Sequence, residues 1–137
     1  MASTYSVPLT QTVQEAGLSI CYQASDYEKI RLTVEDVSRP GLPMAGFFDH
    51  FEPMRLQVMG KVEMSYLDKL SSEARSIVFD RFFSYKIPAL IIARGDDPHP
   101  ECLEQAKKHD VTILQSGDST SYVISFIITD LKNHLAP

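Results

Sequence analysis

Pro88-Ala-Leu-Ile-Ile-Ala-Arg-Gly95 is the stretch that decides the architecture. Five consecutive apolar residues, Ala89–Ala93, are bounded by a proline before them and by Arg94-Gly95 after them. A run this short and this uniformly apolar fits a strand covered by helices on both faces, as in α/β proteins with parallel strands. The flanking residues agree. Downstream, Pro98, Pro100 and Glu101 open a helix that Lys107, Lys108 and His109 close, so acid and base sit where the macrodipole favours them. Val111–Leu114 then reads as the last strand and Ser119–Leu135 as the last helix. On that helix Tyr122, Val123, Phe126, Ile127, Leu131 and Leu135 recur at three- and four-residue steps, which predicts a buried stripe.

Upstream, Ser71 or Ser72 caps a helix running to about Tyr85, with Glu73 in its first turn. Its apolar face holds Ile77, Val78 and Phe82, together with Phe79 and Phe83. Arg55–Met59 is a strand with Leu56 and Val58 on one face and Gly60 at its end. Ser38–Pro43 is dense in turn residues, and a short helix over Met44–Phe48 follows Pro43. At the N-terminal end a helix begins with Ser6 as N-cap and closes before Gly17, whose missing Cβ suits a left-handed C′ position. Leu18–Tyr22 reads as a strand, and Ile30–Val34 as a strand with one solvated face. Helical periods alternating with short apolar runs are the mark of α/β architecture. The expectation is one domain over residues 1–137, a three-layer α/β/α fold with a mainly parallel or mixed sheet.

At 137 residues the chain has the size of a single domain, and such a chain buries roughly 68% of its unfolded surface on folding. Composition is that of a globular protein, 44% hydrophobic and 23% charged, with a net charge of −5. That acidity disfavours nucleic acid and anionic membrane surfaces as partners, since both need a positive field. The basic residues are scattered, with Lys107–Lys108 as the adjacent pair. No apolar stretch approaches a membrane span, and Met-Ala-Ser-Thr-Tyr is not a secretory leader. The expected location is therefore cytoplasmic, with Cys21 and Cys102 as two reduced thiols.

Several catalytic signatures can be tested and set aside. Neither the phosphate-cradling GxxxxGK[ST] loop nor GxGxxG occurs among the six glycines. His50, His99, His109 and His134 are dispersed, with neither HExxH spacing nor a cysteine pair to complete a zinc site. Gly-x-Ser-x-Gly is absent, and Cys21 is expected to be buried in a strand as a small hydrophobe. Cys102 lies in the first turn of a helix, where the dipole lowers a thiol pKa, yet Cys102, Leu103 and Ala106 form an apolar face that favours packing.

What remains is positional. In a mainly parallel sheet the loops after the strands gather at one edge, where ligands of α/β folds bind. Those loops contribute Asp36, Ser38 and Arg39, then Lys61 and Glu63, then Arg94–Asp97, then Ser116–Ser121. Two arginines beside a hydroxyl-rich helix start suit an anion or a phosphorylated metabolite. The simpler account, which residue type alone favours, has Asp118 or Ser119 capping the helix and both arginines in ordinary ion pairs.

One segment is more specific: Arg39-Pro-Gly-Leu-Pro-Met-Ala-Gly-Phe-Phe-Asp-His-Phe51, followed by Arg55-Leu-Gln-Val-Met-Gly60-Lys-Val-Glu63. It resembles the RPG…AGF…F…R-[IL]-Q-V-[IM]-G…E pattern of the N-terminal domain of the bacterial HPr kinase/phosphorylase family. Tyr66-Leu67, Leu70, Phe83-Ser-Tyr85, Ile87–Gly95, Ser119-Thr-Ser121 and Leu135-Ala-Pro137 extend the likeness from about Tyr5 onward. The resemblance implies a parent enzyme that uses ATP or pyrophosphate and magnesium to phosphorylate a serine of the phosphocarrier HPr. It also implies removal of that phosphate by phosphorolysis, and a place in carbon catabolite repression. The family's phosphate loop and catalytic residues belong to a C-terminal domain expected beyond Pro137, so no catalytic residue and no cofactor is assigned to this chain.

The resemblance further implies a fold similar to the first domain of the Mur ligases, and a homo-oligomeric parent. The function expected is a regulatory or assembly domain, non-catalytic by itself. The alternative is a module that binds a phosphorylated metabolite or a nucleotide. Candidate ligand or interface residues are Arg39, Gly41, Gly46, Phe47, Arg94, Gly95, Ser119, Thr120 and Ser121. Phe47 and Phe51 are candidate contacts between subunits or domains.

Overall fold

A computed structural model describes residues 5–136. Its centre is a five-stranded mixed sheet made of β2 (Ser19–Tyr22), β4 (Val37–Ser38), β5 (Leu56–Met59), β6 (Leu90–Ile92) and β7 (Ile113–Gln115). The strand order is β2-β7-β6-β5-β4; β4 to β7 run parallel, and β2 joins β7 antiparallel at the edge. Among the described residues there are six α-helices: α1 (Leu9–Glu15), α2 (Gly41–Met44), α3 (Lys61–Asp68), α4 (Ser72–Phe83), α5 (Pro100–His109) and α6 (Thr120–Leu135).

The Ala89–Ala93 run shows why this is a three-layer protein. Ala89, Ile91 and Ala93 enter one core with Val13 of α1 and Val123, Ile127 and Leu131 of α6. Leu90 and Ile92 enter a second core with Leu67 of α3, Phe79, Phe82 and Phe83 of α4, and Cys102 and Ala106 of α5. All five residues of the run are fully buried. Burying each large aliphatic side chain contributes about 1.5–3 kcal/mol before opposing entropy, so both faces of the sheet must be covered. Alternation along a strand assigns successive residues to opposite cores.

Several elements depart from the sequence expectations. The first helix starts at Leu9 rather than after Ser6, because Val7–Pro8 forms β1, a strand antiparallel to β3 (Arg31–Leu32). That pairing also shortens the expected Ile30–Val34 strand and takes it out of the main sheet. The short helix after the turn-rich stretch runs over Gly41–Met44, earlier than Met44–Phe48. Two elements, α3 and β4, lie outside the sequence expectations. Val62 and Tyr66 of α3 face solvent, so its apolar residues do not trace a buried stripe.

Cys21 is exposed, contrary to the burial expected of it. The register shows why: Ile20 pairs with Leu114 and Tyr22 with Ile113, leaving Cys21 as the extra residue of a bulge on an edge strand. Cys102 is buried as expected. On α4 and α6, Ile77 and Tyr122 fall outside the buried faces predicted for them and are 56% and 55% exposed. Gly17 does take the left-handed conformation, with φ +64°. No helix among the described residues is long and apolar enough to cross a membrane.

Candidate functional site

Because β4, β5, β6 and β7 are parallel, their C-terminal ends line one edge. Most of the candidate residues gather there, in two groups.

The first group joins the ends of β4 and β5 to the start of α6. Arg39 Nη2 lies 2.7 Å from Glu63 Oε1, and the same oxygen accepts the Gly60 N–H at 2.8 Å. Glu63 is the third residue of α3, so its carboxylate satisfies a donor that the helix start leaves unpaired. The Glu63 side chain is only 3% exposed, against 41% for Arg39. Gly60 is constrained by space. A Cβ there would lie 2.9 Å from Arg39 Nη2 and 2.9 Å from Thr120 Cγ2. At Gly41, a Cβ would meet Glu63 Oε2 at 3.4 Å. Arg39, Gly41, Gly60, Glu63 and Thr120 therefore form one packed junction.

The second group joins the ends of β6 and β7. Arg94 and Gly95 both adopt positive φ, +65° and +71°. This turn lets the Arg94 N–H donate to Asp118 O at 2.7 Å and the Gly95 N–H to Ser116 O at 2.8 Å. The Arg94 guanidinium pairs with Asp96 at 3.1 Å. Ser119 Oγ accepts the Tyr122 N–H at 3.2 Å, so Ser119, not Asp118, caps α6. Ser121 Oγ stands 3.4 Å from Ser119 Oγ.

Gly46 and Phe47 lie apart from this edge. Gly46 has φ +99° in the turn after α2, and a Cβ there would approach Arg81 of α4. The adjoining loop is held on α4 by aromatic contacts: Phe48 stacks on Tyr85 at 4.6 Å, and Phe51 packs on Phe82 and Tyr85. The Arg81 guanidinium stands 5.3 Å from the centre of the Phe48 ring. Phe47 itself is 44% exposed beside His50, whereas Phe51 is half-buried. Between α2 and α3 an open groove of about 320 Å³ is walled by Leu42, Met44, Val62 and Tyr66. Leu42 and Val62 are more exposed than large apolar side chains usually are.

Chemically, the edge is internally neutralised: each of its two arginines already faces a carboxylate. Glu63 lies at this edge as its strand-end position predicts, whereas its bonds to the Gly60 N–H and to Arg39 are not read from the sequence. The signal was Gly60-Lys-Val-Glu63, a helix start with an acid at the third helical position. The contact of Thr120 with Gly60 has no local signal.

A family model described as HPr Serine kinase N terminus matches residues 7–131. Among curated proteins, the HPr kinase/phosphorylase of Clostridium beijerinckii is 43% identical over 110 residues, 80% of this chain and 36% of that protein. The Clostridium botulinum protein of the same name is 36% identical over 96% of this chain and 43% of its own length. That of Caldanaerobacter subterraneus is 37% identical with the same coverages. The chain thus spans less than half the length of these relatives. Among solved structures, the CBS and DRTGG regulatory region of a Clostridium perfringens pyrophosphatase, complexed with diadenosine tetraphosphate, matches with a TM-score of 0.63. That likeness covers 93% of this chain and 50% of the other at 12% identity, so it concerns the fold alone.

Proposed function

The chain belongs to the HPr serine kinase N-terminus family, and from that membership we propose that it is a regulatory and assembly domain of a bifunctional enzyme. That enzyme phosphorylates a serine of HPr with ATP and magnesium and removes the phosphate again, in carbon catabolite repression in the cytoplasm. The observation that carries this reading is the match itself: 96% of the chain aligns with only 43% of relatives named HPr kinase/phosphorylase. The strand-end edge supports a structural role for this part. Arg39, Glu63 and Ser119 are engaged at strand ends and helix starts, and Arg94 pairs with Asp96 within its own loop.

Assembly has its own support in the apolar surface of Leu42, Phe47, Val62 and Tyr66, which nothing in the chain covers among the described residues. In the parent this surface meets another domain or subunit. The division of labour is tested by incubating the 137-residue chain with ATP, magnesium and HPr. No phosphoryl transfer is expected, and robust phosphorylation of HPr would overturn the reading.

A further inference from the structure

Away from the strand-end edge, the last turn of α6 meets the end of α1 in a cluster of metal-ligating groups. His134 Nε2 lies 2.9 Å from Glu15 Oε1 and 3.5 Å from Asp130 Oδ1. One donor atom from each of the three side chains lies within 4.8 Å of the others. We propose that Glu15, Asp130 and His134 form a site for a divalent transition-metal ion of the zinc type, which clamps α1 to the end of α6.

Spacing is the first argument. Zinc holds nitrogen and oxygen ligands at about 2.0–2.2 Å in a tetrahedron, which places neighbouring donors roughly 3.3–3.5 Å apart. The two separations to His134, 2.9 and 3.5 Å, lie close to that edge length, and the third lies within 4.8 Å, so side-chain rotation brings the three donors around an ion. Asp130 and His134 are one helical turn apart and share a face of α6. Glu15 arrives from the opposite end of the chain, so the arrangement depends on the tertiary fold.

The second argument is an oxygen without a partner. Asp130 Oδ2 is buried with no hydrogen bond, and the whole side chain is only 16% exposed. Such an atom is destabilising unless something binds it. A cation between the two carboxylates would give that oxygen a partner.

Ligand chemistry selects the class of ion. One imidazole with two carboxylates suits zinc, cobalt or nickel, whereas magnesium and calcium prefer oxygen ligands throughout. Three protein ligands leave a fourth position for water. Gln11 Nε2 now stands 3.3 Å from His134 Nε2 and 3.4 Å from Glu15 Oε2, and this amide swings aside when the ion enters.

The test is calorimetric titration of the 137-residue chain with zinc, alongside His134→Ala, Asp130→Asn, Glu15→Gln and Cys21→Ser. One ion should bind, and each of the first three changes should weaken it about tenfold or more. Cys21→Ser should leave binding unchanged, excess magnesium should not displace the zinc, and X-ray absorption should show nitrogen and oxygen ligands only. The two isosteric changes preserve side-chain volume, and circular dichroism checks that the variants remain folded. Binding that survives His134→Ala, follows Cys21 or shows sulfur in the shell would overturn the site. Absence of binding to the folded wild-type chain would do the same.

Discussion

Arg39 and Glu63 form a 2.7 Å ion pair in which the carboxylate is buried and the guanidinium is half in water. This asymmetry makes the two partners unequal. Removing Arg39 leaves a buried carboxylate with the Gly60 N–H as its remaining hydrogen bond. Replacing Glu63 by glutamine keeps an acceptor for that N–H and leaves an arginine that water can solvate. Arg39→Ala should therefore cost about 1–3 kcal/mol, and Glu63→Gln distinctly less. Urea unfolding of the two variants checks the order; equal losses would show that leaving the buried carboxylate unpaired carries no extra penalty.

Gly60→Ala tests the junction by volume. The added methyl meets Arg39 at 2.9 Å and the Thr120 hydroxyl more closely still, and Arg39 is tethered by Glu63. A loss of about 1–3 kcal/mol is expected from overpacking. Adding Thr120→Ala removes one of the two obstacles, so the double variant should be more stable than the sum of the single losses implies. Strict additivity would place the strain elsewhere.

Glu101 at the start of α5 holds Arg75 and Ser72 of α4, at 2.9 and 2.6 Å. The Arg75 hydrogen bond first, and Ser72 second, draw its pKa from 4.5 down to about 2. A depressed folded-state pKa means stability present above the unfolded value and lost on acidification. Stability should fall as pH drops from about 4.5 to about 2. Glu101→Gln should be less stable at neutral pH and should lack this part of the acid dependence. Denaturant melts across that range measure it, and parallel profiles for the two proteins would refute the linkage.

The thiols should separate cleanly. Cys21 sits exposed on the edge-strand bulge, while burial pushes the Cys102 thiol far up. Reaction of the native chain with a chromogenic disulfide should release one equivalent quickly. The second should appear only in denaturant. Two fast equivalents would mean that the α4–α5 side of the sheet opens readily.

Phe47 and the groove-lining Leu42 and Val62 are exposed apolar side chains. Converting them to serine should change the monomer's stability by less than about 0.5 kcal/mol. In the full-length parent, the same changes should weaken assembly, read by sedimentation. An unchanged sedimentation profile would remove this surface from assembly.

Much of this was legible in the chain. Ala89–Ala93 needed cover on both faces, and the alternation of Leu90 and Ile92 against Ile91 was enough to require two helical layers. Gly17, the pair Ser71 or Ser72, and the pair Asp118 or Ser119 mark helix ends by residue type, and the structure selects Gly17, Ser71 and Ser119. These are local signals, made by residues within a turn of one another. What stayed hidden was of another kind. The helix α3 turns Val62 and Tyr66 outward, so its periodicity does not point at a core.

By itself, then, the sequence determined a three-layer α/β domain with a mainly parallel or mixed sheet and the relationship to the HPr kinase N-terminal family, since both rest on residue types in fixed order; strand direction came from the structure. Only the tertiary structure decided that Gly60 must lack a side chain, that Cys21 faces solvent, and that Glu15 meets His134. Each of those facts is a contact or register between segments distant along the chain. No propensity or spacing encodes such a contact, because it exists only once both cores have packed.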